Sequence, residues 1–313
     1  MSKQQVITLT LNPSMDKTIM LQELKVGGLN RAEDIRLDPG GKGINVARIV
    51  HTFGASVTAA GFIAGGIGKR IIGELDRSGI QTAFVEVPGE TRTNLKLVDQ
   101  KQRTTTEVNE LGFTVSESQL DELNQLLDEL LPKASVLVLG GSLPKGAPPE
   151  LYHHFIIKAR KLGVRTILDA DGEAMVTGIK AIPFAVKPNQ YELEQLVQRK
   201  LDTTEEIIRA GKQLLAQGIT LVIISMGADG AIVMSGDEAY MAKPFPIEAL
   251  STVGAGDSMV AVLAQALLQN SSLEDVARWS TAAGTITASK AGTQVCEFEE
   301  IRSRAGDIDI QAL

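Results

Sequence analysis

Short apolar runs alternate with helix-like segments along most of this chain of 313 residues, and this alternation restricts the folds that it can adopt. The runs are rich in Val, Ile and Leu without polar alternation, which is typical of strands buried on both faces of a mainly parallel sheet. The sequence therefore predicts a doubly wound α/β sandwich. The runs cover residues 6–11, 57–63, 135–139, 164–168, 184–186 and 220–224. Helical patterns lie between them, at residues 44–52, 69–78, 117–131, 150–162, 191–199 and 204–217.

Two further stretches, residues 18–38 and about 85–109, have a different pattern. Polar and apolar residues alternate in them, as in the sequence TNLKLV at residues 93–98. Such one-faced strands favour a small antiparallel sheet that stands off the main one. This sheet is either a lid over a substrate, as enzymes commonly have, or a pair of surface hairpins. The sequence shows no linker or internal repeat, so we expect one domain over residues 1–313 that carries these lid strands.

Charge and cysteine content exclude several classes of function. The net charge is −7, and no segment concentrates basic residues as a nucleic-acid site would. The single cysteine, Cys296, excludes internal disulfides and multi-cysteine zinc sites. The first residues do not read as a signal peptide, and no apolar run is long enough to span a bilayer. We therefore expect a cytoplasmic protein without nucleic-acid or membrane partners.

The sequence STVGAGD at residues 251–257 precedes an apolar helical pattern and predicts an anion site. The small residues Gly254, Ala255 and Gly256 let backbone amides approach an anion, and the start of the helix adds unpaired N–H groups and the positive end of its dipole. Such a cradle suits a phosphate or the charge that develops in a transition state. Asp257 is suited to deprotonate an attacking hydroxyl there, although a simple helix cap would also explain it.

A second glycine cluster, PGGKGIN at residues 39–45, also opens a helix. Gly40 and Gly41 permit close approach of a ligand to the backbone. Lys42 is suited to contact an anion, and Asn45, one turn into the helix, is suited to bind hydroxyl groups. The alternative is a loop that leads into an ordinary packing helix.

Two nucleotide-binding fingerprints fail. Val46 stands where the dinucleotide fingerprint needs its third glycine. The glycine-rich sequence GGIGKR at residues 65–70 lacks the Ser or Thr that a P-loop carries after its lysine. Both failures argue against a nicotinamide-dependent dehydrogenase and against a P-loop enzyme.

Polar residues near the first strand and in the lid are further candidates for ligand binding. Asp16 follows the first strand, and ligands of α/β proteins bind at the carboxyl ends of strands, although a turn residue beside proline would look the same. In the lid, alternation puts Arg92, Asn94 and Lys96 on one face, where two cations and an amide would grip a phosphate. Exposed basic residues on a strand edge also serve solubility.

The sequence KPNQYE at residues 187–192 ends one strand and starts a helix. Asn189 and Glu192 are suited to hold hydrated Mg²⁺ through water, because hard cations prefer oxygen. An N-cap asparagine followed by a first-turn glutamate is the alternative. The sequence SMGADG at residues 225–230 follows a strongly apolar strand run and fits either a nucleotide-binding turn or a hairpin.

Taken in order along the chain, these motifs resemble those of the ribokinase-like (PfkB) sugar kinases. The resemblance covers residues 12 to about 292 and rests on GGKGINVA at 40–47, NQYE at 189–192 and TVGAGD at 252–257. Within the family the chain is similar to the bacterial 1-phosphofructokinase branch, through NPSMDKT at 12–18, TRTNLK at 91–96, TEVN at 106–109 and GSLP at 141–144. The implied fold is a three-layer α/β/α sandwich with a mainly parallel sheet and a small β lid.

The resemblance implies phosphoryl transfer from ATP, with Mg²⁺, to the 6-hydroxyl of fructose 1-phosphate. By similarity Asp257 is the base, and residues 254–256 form the anion hole. The implied sugar-phosphate residues are Asp16, Gly40, Gly41, Lys42, Asn45, Arg92, Asn94, Lys96 and Ser142. The implied nucleotide residues are Lys187, Asn189, Ser225, Met226, Gly227, Ala228, Asp229, Gly230, Thr252 and Gly256, with Asn189 and Glu192 supporting Mg²⁺ through water.

Three points stay open. Tagatose-6-phosphate kinases share nearly every motif and are the alternative, and a non-catalytic sugar-phosphate sensor is a more remote one. Family members often pair through the lid, which implies a homodimer. Asp171 stands where a small hydroxyl residue is commoner in the family, and it adds a negative charge near the expected nucleotide side.

Overall fold

Strands and helices alternate along the computed structural model, which describes residues 5–290, 294 and 296–313. The strands are β1 (Gln5–Thr10), β2 (Ser14–Leu21), β3 (Asp34–Gly40), β4 (Ser56–Ala64), β5 (Gln81–Val87), β6 (Arg92–Asp99), β7 (Thr104–Asn109), β8 (Ala134–Gly140), β9 (Arg165–Asp169), β10 (Ala185–Val186), β11 (Leu221–Ser225), β12 (Ala231–Ser235), β13 (Glu238–Lys243) and β14 (Asp309–Ala312). The helices are α1 (Lys42–Thr52), α2 (Gly65–Arg77), α3 (Glu117–Leu130), α4 (Leu151–Lys161), α5 (Gly172–Ile179), α6 (Gln190–Val197), α7 (Thr204–Ala216), α8 (Ala255–Gln269), α9 (Leu273–Ala288) and α10 (Phe298–Arg304).

A ten-stranded sheet forms the centre of the fold, in the order β14-β13-β12-β11-β10-β9-β8-β1-β4-β5. All neighbours from β11 to β5 pair in parallel. The pairs that join β11, β12, β13 and β14 are antiparallel. Each apolar run that the sequence predicts as a buried strand lies in the parallel part, so that prediction is confirmed.

Helices cover both faces of this sheet. In β1, Ile7 and Leu9 pack into the core formed with α3 to α7, whereas their neighbour Val6 packs into the core formed with α1, α2, α8 and α9. Because successive residues of a strand point to opposite faces, one strand contributes to both cores. The result is the three-layer α/β/α sandwich that the resemblance implied.

The other four strands form a small second sheet, the lid, in the order β3-β2-β6-β7. Its central strands β2 and β6 pair in parallel, which differs from the antiparallel sheet expected from the alternation. The bounds also differ from the prediction, because β2 begins at Ser14 and β3 ends at Gly40. Residues 85–87, predicted for the lid, belong to β5. This strand lies at the edge of the main sheet and alternates between buried and exposed residues, as a lid strand would.

The lid is attached at the carboxyl edge of the main sheet. Strand β2 follows β1 after a short turn, and β6 follows β5 in the same way. Strand β3 leads directly into α1. Ligands of doubly wound α/β proteins bind at this edge. Within the described part of the chain, no helix has the length and apolar character needed to cross a bilayer.

Candidate active site

A cavity of about 290 Å³ lies between the lid and the carboxyl ends of the parallel strands. Side chains from β2, β6 and β7 form its lid side, and the starts of α1 and α8 form its floor. Asp257 lines it, together with most residues predicted for the sugar phosphate: Asp16, Gly41, Lys42, Asn45, Arg92, Asn94 and Ser142. The structure thus brings together residues that lie up to 241 positions apart between Asp16 and Asp257.

The first turn of α8 has the geometry expected of an anion cradle. Gly254 is its N-cap residue and adopts φ +79° and ψ −6°, a left-handed conformation that favours glycine. Its carbonyl oxygen accepts hydrogen bonds from the backbone N–H of Ser258 at 2.8 Å and from the Ser258 hydroxyl at 2.9 Å. The first amides of a helix have no partners within it, and those that are not bonded elsewhere are available to an anion.

The Asp257 carboxylate is buried at the point where α8 meets α1. It is 7% exposed, and its Oδ2 accepts a hydrogen bond from Nδ2 of Asn45 at 2.7 Å. Burial and the nearby charge of Asp169 raise the pKa of Asp257 from 3.8 to about 6, while Lys42, the Asn45 bond and Lys187 act in the opposite direction. Such a group is ionised at neutral pH and accepts a proton more readily than an exposed aspartate.

Asp169, the last residue of β9, forms salt bridges with two lysines close to the Asp257 carboxylate. Its Oδ1 lies 3.0 Å from Nζ of Lys42 and 3.3 Å from Nζ of Lys187. Burial opposes ionisation of Asp169, but Lys187 and Lys42 outweigh it and hold the pKa of that carboxyl below its ordinary value. Burial also opposes the charge of Lys42, but Asp169, Asp257 and Glu192 outweigh it and raise its pKa. Both groups of the Lys42–Asp169 pair therefore stay charged at neutral pH.

The sequence predicts Asp16 at the end of the first strand. In the structure it lies instead within the lid strand β2. The chain turns after β1 and pairs at once with β6, so Asp16 stands opposite Asn94. Its carboxylate accepts hydrogen bonds from Ser14 Oγ at 2.8 Å and from Asn94 Nδ2 at 3.3 Å. Lys96 Nζ donates to it at 2.7 Å. The predicted common face of Asn94 and Lys96 is confirmed, but Lys96 is 6% exposed, does not line the cavity and reaches it only through Asp16.

Arg92 is fixed against the wall of the cavity by two carbonyl groups. Its Nη1 donates to the carbonyl oxygen of Glu110 at 3.0 Å, and its Nη2 donates to that of Asn12 at 3.1 Å. Gly40, also predicted for the sugar phosphate, does not line the cavity; a Cβ there would lie 2.5 Å from the Asp16 carboxylate. It allows β3 to pass close to Asp16.

The residues predicted for magnesium form a helix cap. Oδ1 of Asn189 accepts from the backbone N–H of Glu192, and Oε2 of Glu192 accepts from that of Asn189, both at 2.8 Å. This is the alternative that the sequence left open. Among the described residues, no group of three or more His, Cys, Asp or Glu side chains could hold a metal ion. Glu192 still acts on the site, because its charge helps to raise the pKa of Lys42.

The predicted nucleotide residues lie along the same edge of the sheet. Ser225 ends β11 and forms a bridge with Asn189, and residues 226–230 turn tightly into β12. The hairpin alternative for residues 225–230 is therefore correct as a description of the backbone. Lys187 lies beside the cradle, since a Cβ on Gly256 would be 3.3 Å from its Nζ. The carbonyl of Thr252 accepts a long bond of 3.4 Å from the N–H of Ala255.

Several functional candidates were missed at the level of sequence. Asp169 directly follows the predicted strand 164–168, and its place at a strand's carboxyl end is the signal that could have singled it out. Glu107 also lines the cavity, from β7. Asp171, expected near the nucleotide side, lies in the lining of the same cavity as Arg92 and Ser142. It occupies the N-cap position of α5 without a side-chain cap bond.

Several polar atoms beside the cavity lack a hydrogen-bond partner within the part of the chain that the structure describes. Five buried atoms in its lining residues lack a hydrogen-bond partner among the described residues: Thr10 Oγ1, Asn12 Oδ1, Asn45 Oδ1, Asn94 Oδ1 and Arg92 Nε. Buried polar groups are normally paired, so these atoms need partners that water, a ligand or a small movement of the side chains would supply.

Comparisons with known proteins agree with this chemistry. Residues 9–300 match the family described as pfkB family carbohydrate kinase. The chain is 38% identical over 316 residues to the 1-phosphofructokinase of Xanthomonas campestris pv. campestris, with 99% of each chain covered. It is 37% identical over 307 residues to that of Borreliella burgdorferi, with 98% of each covered. The solved structure of phosphofructokinase-2 from Escherichia coli in complex with fructose-6-phosphate matches with a TM-score of 0.89 and 30% identity, over 97% of this chain and 98% of that chain.

Proposed function

The chain belongs to the pfkB family of carbohydrate kinases, and from this premise we propose that it transfers the γ-phosphoryl group of ATP to the 6-hydroxyl of fructose 1-phosphate. The products are fructose 1,6-bisphosphate and ADP. The observation that carries the proposal is the buried Asp257 carboxylate, held by Asn45 at the start of α8 in the lining of the cavity. The names of the two relatives that match over nearly their whole length support fructose 1-phosphate as the acceptor.

Asp257 acts as the general base in this reaction. The 6-hydroxyl oxygen attacks the γ-phosphorus, and its proton passes to the Asp257 carboxylate. The bond between the γ-phosphorus and the oxygen that bridges it to the β-phosphorus breaks, and ADP leaves with that electron pair. A base with a pKa of about 6 is ionised at neutral pH and is stronger than an ordinary aspartate.

Charge neutralisation accounts for most of the catalysis that this geometry supports. In this mechanism the unpaired backbone amides among residues 254–256 and the positive end of the α8 dipole stabilise the transferring group. Lys187 lies beside Gly256 and adds a full positive charge. Asp169 holds Lys187 in place and also joins it to Lys42, so the charge is positioned before the substrates bind.

Sugar recognition divides between hydroxyl-binding and phosphate-binding groups. Asp16, Asn45 and Asn94 line the cavity with polar side chains that suit the hydroxyl groups of the sugar. Arg92 and Ser142 supply donors for the phosphate that the sugar already carries. Gly41 and Lys42 are expected to contact the sugar phosphate at the start of α1, and Gly40 and Lys96 support the site through Asp16.

ATP is expected to bind along the neighbouring strand ends. The residues proposed to line its site are Lys187, Asn189, Thr252, Gly256 and the turn at 225–230. The oxygen-rich pair Asn189 and Glu192 suits Mg²⁺ held through water, since the capping bonds engage only one oxygen of Glu192. When bound, Mg²⁺ supplies charge neutralisation on the nucleotide phosphates. We place this activity in the cytoplasm.

Identification of the product tests the proposal directly. The protein is incubated with ATP, Mg²⁺ and fructose 1-phosphate, and the products are followed by phosphorus NMR. We expect a second phosphate monoester on the sugar, at carbon 6, together with ADP. The same sample with Asp257→Asn is the control for a contaminating kinase. Release of ADP without a bisphosphate, or no reaction although ATP binds, would refute the proposal and favour another acceptor or a sugar-phosphate sensor.

A further inference from the structure

The glycine-rich start of α2, at residues 65–70, binds a carboxylate of the chain itself. The backbone N–H groups of Gly66 and Ile67 donate to the two oxygens of Glu90, at 3.2 and 2.8 Å. The start of a helix favours an anion, and here Glu90 takes the place that a phosphate occupies in a P-loop. The start of the sequence GGIGKR thus binds the Glu90 side chain of the same chain and is not free for a phosphate.

Thr91, the next residue after Glu90, forms hydrogen bonds with the backbone of Ala64, the residue that precedes α2. Its Oγ1 accepts from the N–H of Ala64 at 2.9 Å and donates to the Ala64 carbonyl at 2.9 Å. The N–H of Thr91 donates to that carbonyl at 3.0 Å. Thr91 is 1% exposed, so these bonds are shielded from water. We refer to Glu90 and Thr91, with their bonds to residues 64–67, as the latch.

The glycines of this segment fit the latch closely. Gly65 has φ +62°, a conformation that favours glycine, and a Cβ on it would lie 2.5 Å from the Glu90 carboxylate. A Cβ on Gly68 would lie 2.6 Å from Ile63 Cγ1 and 3.0 Å from Thr91 Oγ1. Side chains at these positions would push the latch away from α2.

Arg92 follows the latch as the first residue of β6 and lines the cavity. We propose that Glu90 and Thr91 are positioning residues, which fix the start of β6 and so place the Arg92 guanidinium against the phosphate of the sugar. The carbonyls of Asn12 and Glu110 orient the guanidinium, and the latch holds the backbone that carries it. The identity of the ligand rests on the function proposed above.

The latch predicts a selective kinetic defect. Thr91→Val keeps the shape of the side chain but leaves the Ala64 N–H without its acceptor, so we expect the KM for fructose 1-phosphate to rise about tenfold. We expect kcat and the KM for ATP to change by less than about twofold, because Asp257 and the α8 cradle do not touch the latch. Thr91→Ser keeps the hydroxyl and should restore the KM. A fall in kcat with both KM values unchanged would overturn the proposal.

Two further variants separate positioning from loss of folded protein. Glu86→Gln is the matched control, since Glu86 lies on β5 and also contacts α2, through Lys69 at 3.3 Å, but carries no part of the latch. It should leave all kinetic constants unchanged. In an Arg92→Ala background, Thr91→Val should add less than about a further twofold to the KM, because the latch acts through Arg92. A further tenfold rise in the KM for fructose 1-phosphate in that background would show that Thr91 does not act through Arg92.

A measurement without substrate separates this inference from the proposed function. In Glu90→Ala, amide hydrogen exchange should be faster at Gly66 and Ile67 and also along the start of β6, while β8 in the main sheet stays protected. Unchanged exchange in β6 would overturn the latch whichever sugar the protein phosphorylates. Absence of wild-type turnover on fructose 1-phosphate, with faster exchange in β6, would refute only the proposed substrate.

Discussion

The Asp257 carboxylate stands where water solvates it poorly, and its pKa of about 6 reflects the cost of ionising it there. Relative to the ordinary value of 3.8, this difference corresponds to roughly 3 kcal/mol against the ionised form. This unfavourable free energy of ionisation falls on the residue that the proposed reaction needs as a base. Asn45 and the two lysines on Asp169 keep the cost from being larger.

Asp257→Asn should remove the base and leave the rest of the site in place. An amide cannot accept the hydroxyl proton, so we expect turnover to fall about a thousandfold. ATP binding should be largely unchanged, because the cradle amides belong to the backbone. Steady-state turnover and a nucleotide titration check both parts, and near-normal turnover would show that another group is the base.

The same substitution should raise stability, in a pH-dependent way. The raised pKa of Asp257 stabilises the folded state while the carboxyl is protonated, and this stability is lost as pH rises through about 6. At about pH 8 Asp257→Asn should therefore unfold at higher urea concentration than the wild type, by up to a few kcal/mol in free energy. The gain should shrink at about pH 5, as the wild-type carboxyl takes up a proton. A gain that does not depend on pH would contradict the assigned pKa.

Sequence alone predicts which residue types enter the site better than it predicts their partners. The motifs indicate Lys42 and Asp257, but the pairing of Lys42 with Asp169, 127 positions away in the chain, forms only when the end of β9 lies beside the start of α1. Likewise, alternation predicts the face of Lys96 and does not reveal that Asp16 neutralises it. Pairing of this kind depends on tertiary folding, which local patterns do not contain.

At the scale of elements, the proposed function depends on two helix starts and one lid strand. Helices α1 and α8 begin at the cavity and meet through the bond from Asn45 to Asp257. Strand β6 brings Arg92 and Asn94 to the opposite wall. In the proposed mechanism the floor therefore holds the groups for phosphoryl transfer, while the lid holds groups that recognise the sugar phosphate.

This division predicts a selective effect of Arg92→Ala. Loss of a charged hydrogen-bond donor to the sugar phosphate should raise the KM for that substrate by about tenfold or more. The KM for ATP should change by less than about twofold, because Arg92 lies on the lid. Initial rates with each substrate varied in turn provide the measurement. Equal effects on both substrates, or none, would remove Arg92 from the sugar site.

The elements themselves were predictable where the local pattern is strong. All six apolar runs are strands of the parallel part, and all six helical patterns are helices. Strands β12, β13 and β14 were missed, because they form an antiparallel edge after a turn that also fits a nucleotide loop. Residues 85–87 were assigned to the wrong sheet, since an edge strand and a lid strand share the same alternation.

At the scale of the whole molecule, the outer face of the lid carries a cluster of apolar side chains. Asp16, Asn94 and Glu107 point to the cavity, so their neighbours along each strand face away from it. Strand pairing places these neighbours side by side: Ile19 with Ile35 and Leu97, and Leu95 with Val108. Ile35 and Val108 are 51% and 52% exposed. An apolar face of this kind supports the homodimer through the lid that we propose for this chain.

Leu95→Glu should dissociate that dimer. A carboxylate at the centre of the outer lid face, even beside Lys17 of β2, would lose its hydration on association, so we expect a monomer in sedimentation velocity experiments. Leu162→Glu is the control, since Leu162 is 43% exposed at the end of α4, away from the lid. It should sediment as the wild type does. A wild-type monomer, or a dimer that survives Leu95→Glu, would refute pairing through the lid.

Release of ADP with three acceptors tests the central claim most directly. The protein is assayed with ATP and Mg²⁺ on fructose 1-phosphate, tagatose 6-phosphate and fructose 6-phosphate, and kcat/KM is compared. We predict that fructose 1-phosphate, the proposed substrate, is preferred by about a hundredfold or more, because a site built to hydrogen-bond one sugar phosphate discriminates against another that leaves its polar groups unpaired. Preference for either of the other sugars would contradict the proposed substrate while leaving the base and the anion cradle in place.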